Sequence, residues 1–329
     1  MSDPRGHAAP GRRRDALRWL GPGTTATVTV VVAAAVAVRW LDTSAARIPV
    51  LQSAFPLVGA AAVGWALVAL VLHRRRLVRA LPALIVAVVP LTLAASSVRA
   101  DTVQPSDDDE VVAASNLQFG RAGPSAVVER LRAVGADTLV LTEVTPDAAA
   151  ALDEAGLGRL LPQQVGAAQP GADGTVILSR HPLTEVSTEH VPGLFDQPVA
   201  TVHAPSGDYV LRAMHPYPPT SRLVRAWHRQ LGEAATWVAA QPDTTPVVLA
   251  GDFNASHGHP AYRRLADGLV DAHRAAGSGW VRTWPHGDRV PPFVQLDHVL
   301  VRDGQVVEAG AAEVAGTDHA LVWARLQLG

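Results

Sequence analysis

The chain has 329 residues, no cysteine, and 28 basic against 30 acidic side chains, for a net charge of -2. Without cysteine there is neither a disulfide framework nor a thiolate metal site. The near-neutral sum hides an asymmetry: residues 1–100 carry 12 Arg and 3 acids, whereas residues 101–329 carry 16 Arg and 27 acids, a composition poorly suited to gripping a nucleic-acid backbone.

Residues 1–20 are rich in Arg, Gly and Pro and read as a disordered cytoplasmic tail. Three apolar runs follow, 24–40, 55–72 and 80–97. Each is close to the roughly 17–25 residues that cross a bilayer, and charge is almost absent inside them. The spacing therefore predicts a three-helix transmembrane anchor over 21–100. Nine arginines (Arg5, Arg12, Arg13, Arg14, Arg18, Arg74, Arg75, Arg76 and Arg79) precede the first run or separate the second from the third, and only Arg39, Arg47 and Arg99 occupy the other flanks. Positive charge stays inside, so the N-terminus is expected in the cytoplasm. Three crossings then place everything after Arg99 outside, giving a multi-pass protein of the cell membrane with an extracytoplasmic domain.

Residues 101–110 are acidic and contain Pro105, the pattern of a short exposed linker. Residues 111–329 are the size of one domain. A strand is predicted over 111–115, ending at Asn116, then an amphipathic helix over 125–134 with Val127, Val128, Leu131 and Val134 on one face. A second strand over 138–141 ends at Glu143, so Asn116 and Glu143 close one βαβ-like unit. From 174 to 214 the helical period is lost. Runs 175–178, 183–190, 199–203 and 209–214 read as a meander of strands, the last ending at His215. A helix over 220–240 leads to the buried strand 246–250 and the turn Gly251-Asp252-Phe253-Asn254. A short helix near 260–266, a Trp-rich loop around Trp280 and Trp284, strand 296–301 with Asp297 and His298, and strands near 306–314 and 321–326 complete the chain. Asp318-His319 precedes the last strand.

Asn116, Glu143, His215, Asp252, Asn254, Asp297, Asp318 and His319 all fall at strand ends or in the turn that follows, where α/β sheets place their ligands. Carboxylate and amide oxygens without cysteine favour a hard cation, Mg²⁺ or Mn²⁺. Imidazoles beside it suit proton transfer and anion stabilisation, a constellation for metal-assisted hydrolysis of phosphate esters. His298, next to Asp297, is expected on the opposite strand face as a core or supporting residue. His257 and His259 mimic a metal-binding H-x-H, with a substrate-side loop as the first reading and a ligand role as the second, and His181, His190, His203, His273 and His286 are assigned to the surface or to strands. Trp280 and Trp284 read as a lip that stacks substrate or faces lipid, or as ordinary packing.

The ordered series Asn116, Leu141-Thr142-Glu143, Gly174-Thr175-Val176-Ile177-Leu178-Ser179-Arg180, His215, Gly251-Asp252-Phe253-Asn254, Leu296-Asp297-His298-Val299 and Thr317-Asp318-His319 resembles the endonuclease/exonuclease/phosphatase superfamily, the deoxyribonuclease I-like group. Thr142 departs from the family's usual Gln before the Glu. The resemblance implies an α/β fold, a four-layer α/β sandwich with two mixed β-sheets packed face to face and flanked by helices. It implies Glu143 as principal Mg²⁺ (or Mn²⁺) ligand, with Asn116 and Asp318 in or near the metal shell. It further implies Asp252 positioning or deprotonating water, Asn254 and His215 holding phosphate oxygens, and His319 contacting phosphate or acting as acid or base, oriented by Asp297. The anchor makes the chain similar to the membrane-anchored proteins of this superfamily associated with teicoplanin resistance. That similarity implies an extracytoplasmic phosphodiesterase or phosphatase beside the lipid bilayer, acting on a lipid-linked cell-wall intermediate. An extracytoplasmic nuclease is the second reading and a non-catalytic binding or sensing module the third. No protein partner is implied.

Overall fold

The computed structural model describes residues 22–45, 47–187, 194–220, 222–287 and 289–328. The tail 1–20 and the end of the strand expected over 183–190 lie outside them. Four helices come first: α1 (Pro22–Ala37), α2 (Arg47–Ser53), α3 (Phe55–Leu72) and α4 (Leu81–Ser97). The remainder follows as β1 (Glu110–Asn116), α5 (Pro124–Val134), β2 (Thr138–Thr142), α6 (Pro146–Glu154), α7 (Leu157–Leu160), β3 (Gln163–Ala167), β4 (Thr175–Ser179), β5 (Leu183–Ser187), β6 (Val199–Ala204) and β7 (Gly207–Met214). It closes with α8 (Val224–Ala239), β8 (Val247–Asp252), α9 (Pro260–Leu265), β9 (Val270–Asp271), α10 (Ala272–Ala275), β10 (Asp297–Arg302), β11 (Gly304–Ala312) and β12 (Leu321–Leu328).

The chain divides into two units, the first holding α1 and most of α3 and α4. Small residues, Ala66, Ala69, Ala83 and Ala87, form its buried seam and let the helices approach closely. Two polar bonds stitch it, from Trp65 Nε1 to Thr29 Oγ1 at 3.0 Å and between His73 Nε2 and Thr25 Oγ1 at 3.1 Å. Segments Gly23–Trp40 and Phe55–Leu72 each offer 18 residues long and apolar enough to cross a membrane. The third expected span, Leu81–Ser97, is apolar but shorter, so two helices rather than three meet that length.

In the second unit two mixed six-stranded sheets run in the orders β11-β12-β1-β2-β4-β3 and β5-β6-β7-β8-β10-β9. Each contains one parallel pair, β1 with β2 and β7 with β8. The central strands are buried along their whole length, as expected for strands covered on both faces, which is why 111–114, 139–141 and 247–250 are continuous apolar runs. Val112, Val140 and Ile177 of one sheet share a core with Leu211, Val248 and Val299 of the other. On the outer faces α5 packs Val127, Val128 and Leu131 against the first sheet, and α8 packs Trp227 and Leu231 against the second. The result is an α/β sandwich with flanking helices. α5 starts at Gly123-Pro124 and stops at left-handed Gly135, the punctuation its sequence dictates.

Three details differ from the sequence reading. The expected four-strand meander is split: β4 pairs with β2 and β3 in the first sheet, and only β5, β6 and β7 form a meander in the second. Local alternation cannot reveal which sheet a strand joins. Strand β1 begins at Glu110, inside the expected linker, because its buried carboxylate accepts from Thr138 Oγ1 (2.9 Å) and Tyr209 OH (3.0 Å) between the sheets. The segment 38–57 groups with the sheets rather than with the helices. Arg39 bonds the His257 carbonyl, Asp42 pairs with Arg264 and His228, and the Pro49 carbonyl meets His259 Nε2 at 2.9 Å.

Gly251 marks a close approach of two backbones beside the site. Its φ is +139°, and an added Cβ would collide with the Met214 carbonyl of neighbouring β7. Gly251→Ala is therefore expected to cost about 2–4 kcal/mol from backbone strain plus overpacking. Thermal melting of the purified variant checks this, and an unchanged midpoint would show that the parallel pair has slack here.

Candidate active site

The two parallel pairs explain how distant residues meet. In register, Asn116 pairs with Thr142 and Met214 with Gly251, so β1, β2, β7 and β8 all end on one edge of the sandwich. Antiparallel β10 starts there, with Asp297 directly opposite Asp252. The buried Asn116 amide ties the sheets together: Nδ2 donates to Glu143 Oε1 at 3.1 Å and to Asp252 Oδ2 at 3.0 Å. Its oxygen accepts the Gln118 N–H at 2.8 Å, which fixes the amide's orientation.

Glu143 adopts φ +57°, as do Gln118, Phe119 and Asn254 at +48°, +55° and +46°. Side chains other than glycine enter this region at a cost, and here all four border the cluster. The strained loop aims the Phe119 N–H at Glu143 Oε2, 2.7 Å away. Burial pushes the Glu143 carboxyl up, Asn116 and that N–H oppose the rise, and Asp318 adds to it by repulsion. Asp318 is fixed by the Trp284 Nε1–H at 3.1 Å. Two half-buried carboxylates at one edge, Glu143 raised in part by Asp318, are a hard-oxygen pair suited to a small divalent cation. Asn116 lends its N–H groups to the carboxylates.

Beside this pair, His319 Nδ1 bonds Asp297 Oδ2 at 2.9 Å and its Nε2 lies 3.8 Å from Asp252 Oδ2. Burial opposes charge on the His319 imidazole, but Asp297, Asp252 and Asp318 outweigh it and push it up to about 10. Burial raises Asp252 to about 7, with His319 opposing and Asp297 reinforcing. His215 is sealed in, stacked on Phe195 at 4.6 Å, and burial drives it down to about 3, so it is neutral. Its Nδ1 has no hydrogen-bond partner, and its Nε2 stands 3.8 Å from Glu143 Oε1. The Asn254 backbone N–H donates to Asp252 Oδ1 (2.7 Å), and the Asn254 side chain donates to the Pro216 carbonyl (3.0 Å). Atoms of Asp252, Asp297 and His319 also lie within 4.8 Å of one another, close enough for an ion, but the His319–Asp297 bond already occupies that imidazole nitrogen.

All eight residues singled out from the sequence thus stand on the same edge. The others separate. His298 is buried behind it, bonded to Tyr262 (2.8 Å) and the Ala255 carbonyl (2.9 Å). His257 and His259 do not face substrate, since His257 binds Asp271 and His259 is buried under segment 38–57. His273 is buried too, not superficial. Two supporting threonines escaped the sequence reading. Thr317 donates to the Asn116 carbonyl (2.8 Å) and accepts the His319 N–H (3.2 Å), and Thr283 accepts the N–H groups of Leu296 and Asp297. Such bonds to the backbone leave no sequence signature; only the position of Thr317 beside Asp318 hinted at it.

The family model described as Endonuclease/Exonuclease/phosphatase family matches residues 113–319. No curated protein sequence matches the chain. Among solved structures, TDP2 of D. rerio complexed with a single-strand DNA product is similar at 15% identity and TM-score 0.55, covering 67% of this chain and 99% of that one. An endonuclease/exonuclease/phosphatase of Beutenbergia cavernae is 22% identical with TM-score 0.52, covering 68% and 72%. The mannosyl-6-phosphatase Bt3783 of Bacteroides thetaiotaomicron is 14% identical with TM-score 0.51, covering 66% and 99%. At these identities the structures speak to fold.

Proposed function

We propose that this chain, which belongs to the Endonuclease/Exonuclease/phosphatase family, is a membrane-anchored, divalent-metal-dependent hydrolase of phosphate esters. The observation that carries the reading is the Asn116 amide joining Glu143 of one sheet to Asp252 of the other, directly beside the Asp297–His319 pair. Glu143 and Asp318 would hold Mg²⁺ or Mn²⁺, with Asn116 orienting the Glu143 carboxylate. When bound, such an ion neutralises phosphoryl oxygens and polarises the phosphorus. Asp252, held near 7, accepts the proton of the attacking water. His319, kept cationic by Asp297, stabilises charge that develops on the phosphoryl group. Neutral His215 and Asn254 hold its remaining oxygens.

The apolar surfaces of α1 and α3, exposed at Val30, Val31 and Val71, support membrane crossing. The arginine distribution supports an extracytoplasmic domain. The short tether to the anchor supports a substrate at the bilayer surface, a lipid-linked phosphate ester such as a polyprenyl pyrophosphate. The DNA product bound by the zebrafish TDP2 keeps a nuclease as the second reading, against which the acidic balance of residues 101–329 counts. The test is hydrolysis of polyprenyl pyrophosphate, sphingomyelin and DNA by the detergent-solubilised protein, with Mg²⁺ and with chelator. We expect the lipid pyrophosphate to be cleaved fastest and chelator to stop it. DNA as the best substrate would reverse the ranking, and no turnover of any phosphate ester would remove the hydrolase.

A further inference from the structure

We propose that a groove beside the end of α4, separate from the catalytic cluster, binds the phosphate of an anionic lipid headgroup. The groove has a volume of about 390 Å³, within the range of small-ligand sites, and runs from Ser96 and Arg99 past Asp101 and His257 to Asp271 and Arg274. Its charges are not equivalent. The Asp271 carboxylate is buried and already accepts from His257 (3.0 Å), Tyr262 (2.7 Å) and the Arg274 N–H (3.2 Å). That leaves Arg99, Arg274 and the exposed Asp101 as the other charged residues lining the groove. Arg274 spends one donor on Ser96 Oγ at 2.6 Å, and exposed Arg99 has no hydrogen-bond or ion-pair partner among the described residues.

Two arginine forks lining one groove match the planar, multidentate chemistry of phosphate recognition better than that of a lone carboxylate. Leu269 and Ala275 add an apolar floor, which suits the glycerol and first methylenes of a lipid and gives nothing to a free ion. The assignment rests on reading α4 as a membrane span, because its last turn then delivers Ser96 and Arg99 to headgroup level, within reach of lipid phosphates.

The full-length protein is reconstituted in micelles doped with phosphatidylglycerol or phosphatidylcholine, or exposed to inorganic phosphate. Retained lipid is read by native mass spectrometry, and thermal midpoint and hydrolysis of a chromogenic phosphodiester are read in the same samples. Phosphatidylglycerol is expected to be retained preferentially and to raise the midpoint. Arg99→Gln, which removes no bond in the fold, should weaken retention roughly fivefold, and Arg99→Gln/Arg274→Gln more, with hydrolysis unchanged. Equal retention of both lipids, or retention indifferent to Arg99, overturns the site. Competition by inorganic phosphate without any preference for phosphatidylglycerol overturns the lipid assignment. Hydrolysis that persists through any of these failures leaves the proposed activity standing, whereas lipid binding without hydrolysis would remove the activity and keep the site.

Discussion

Asp252→Asn is expected to lower kcat on a chromogenic phosphodiester by roughly 10²–10⁴-fold, the span typical of removing a general base, with KM little changed. The wild-type pH profile carries the same information. Only deprotonated Asp252 accepts a proton, so the rate rises as pH passes about 7, where burial holds this carboxyl. Only protonated His319 is cationic, so the rate falls as pH passes about 10. A bound divalent ion draws the acid limb below the ion-free position, because it favours the carboxylate. Asp252→Asn should remove the acid limb and His319→Ala the alkaline one. Asp297→Asn should shift the alkaline limb downward, since it removes the largest positive contribution to the His319 imidazole. If Asp252→Asn retained more than about a tenth of kcat, another group would be the base.

The reason this pair was visible in the sequence is geometrical. Residues at the carboxyl ends of buried strands converge whenever those strands are parallel neighbours, and 111–116 with 138–142, and 207–214 with 247–252, are such pairs. The apolar runs and the residue following each of them were therefore enough to nominate Asn116, Glu143, His215 and Asp252. Asp297 was legible for another reason, as an acid near the start of the apolar run 296–301; the antiparallel register that sets it opposite Asp252 is visible only in the structure. What could not be read is whatever depends on contacts remote in sequence. Nothing local distinguishes β4, which joins the first sheet, from β5, which joins the second. His257 and His259 looked like residues of a substrate loop because their cover, segment 38–57, lies some two hundred positions upstream. Gln52 sits 2% exposed in that cover, with its side chain bonding the Val38 and Leu41 carbonyls, so the loop between α1 and α3 is built as part of the sandwich surface. Glu143 was readable as a ligand by type and place, whereas its left-handed backbone and its Phe119 N–H partner were not.

The second large effect lies behind the site. Asp271→Ala is expected to cost about 3–5 kcal/mol, the usual penalty for deleting one member of a buried charged network. For a domain of this size that is a fall of about 6–20 °C in melting temperature. The carboxylate is 7% exposed and receives His257 Nε2, Tyr262 OH and the Arg274 N–H, with His298 Nδ1 at 3.4 Å, so its loss strands several donors at once. Burial alone would raise Asp271, but His257 and His298 hold it well below the usual carboxylate range. Its folded pKa is depressed, so its contribution is complete above about pH 4, the unfolded value, and is lost as pH falls through the folded one. The histidines act earlier. Burial lowers His257 and His273, and lowers His259 to about 4, so below about pH 6.5 the unfolded chain takes up protons that the native state refuses. Wild-type stability should therefore begin to fall near pH 6.5, with the Asp271 contribution disappearing last. Because His298 also holds the Ala255 carbonyl, one residue past Asn254, Asp271→Ala should lower kcat as well as stability. Tyr262→Phe removes two hydrogen bonds, to Asp271 and with His298, but leaves the buried carboxylate its other donors, and should cost about 2 kcal/mol with kcat nearly intact. Equal melting shifts for the two variants would mean that the carboxylate is not the hub of this network.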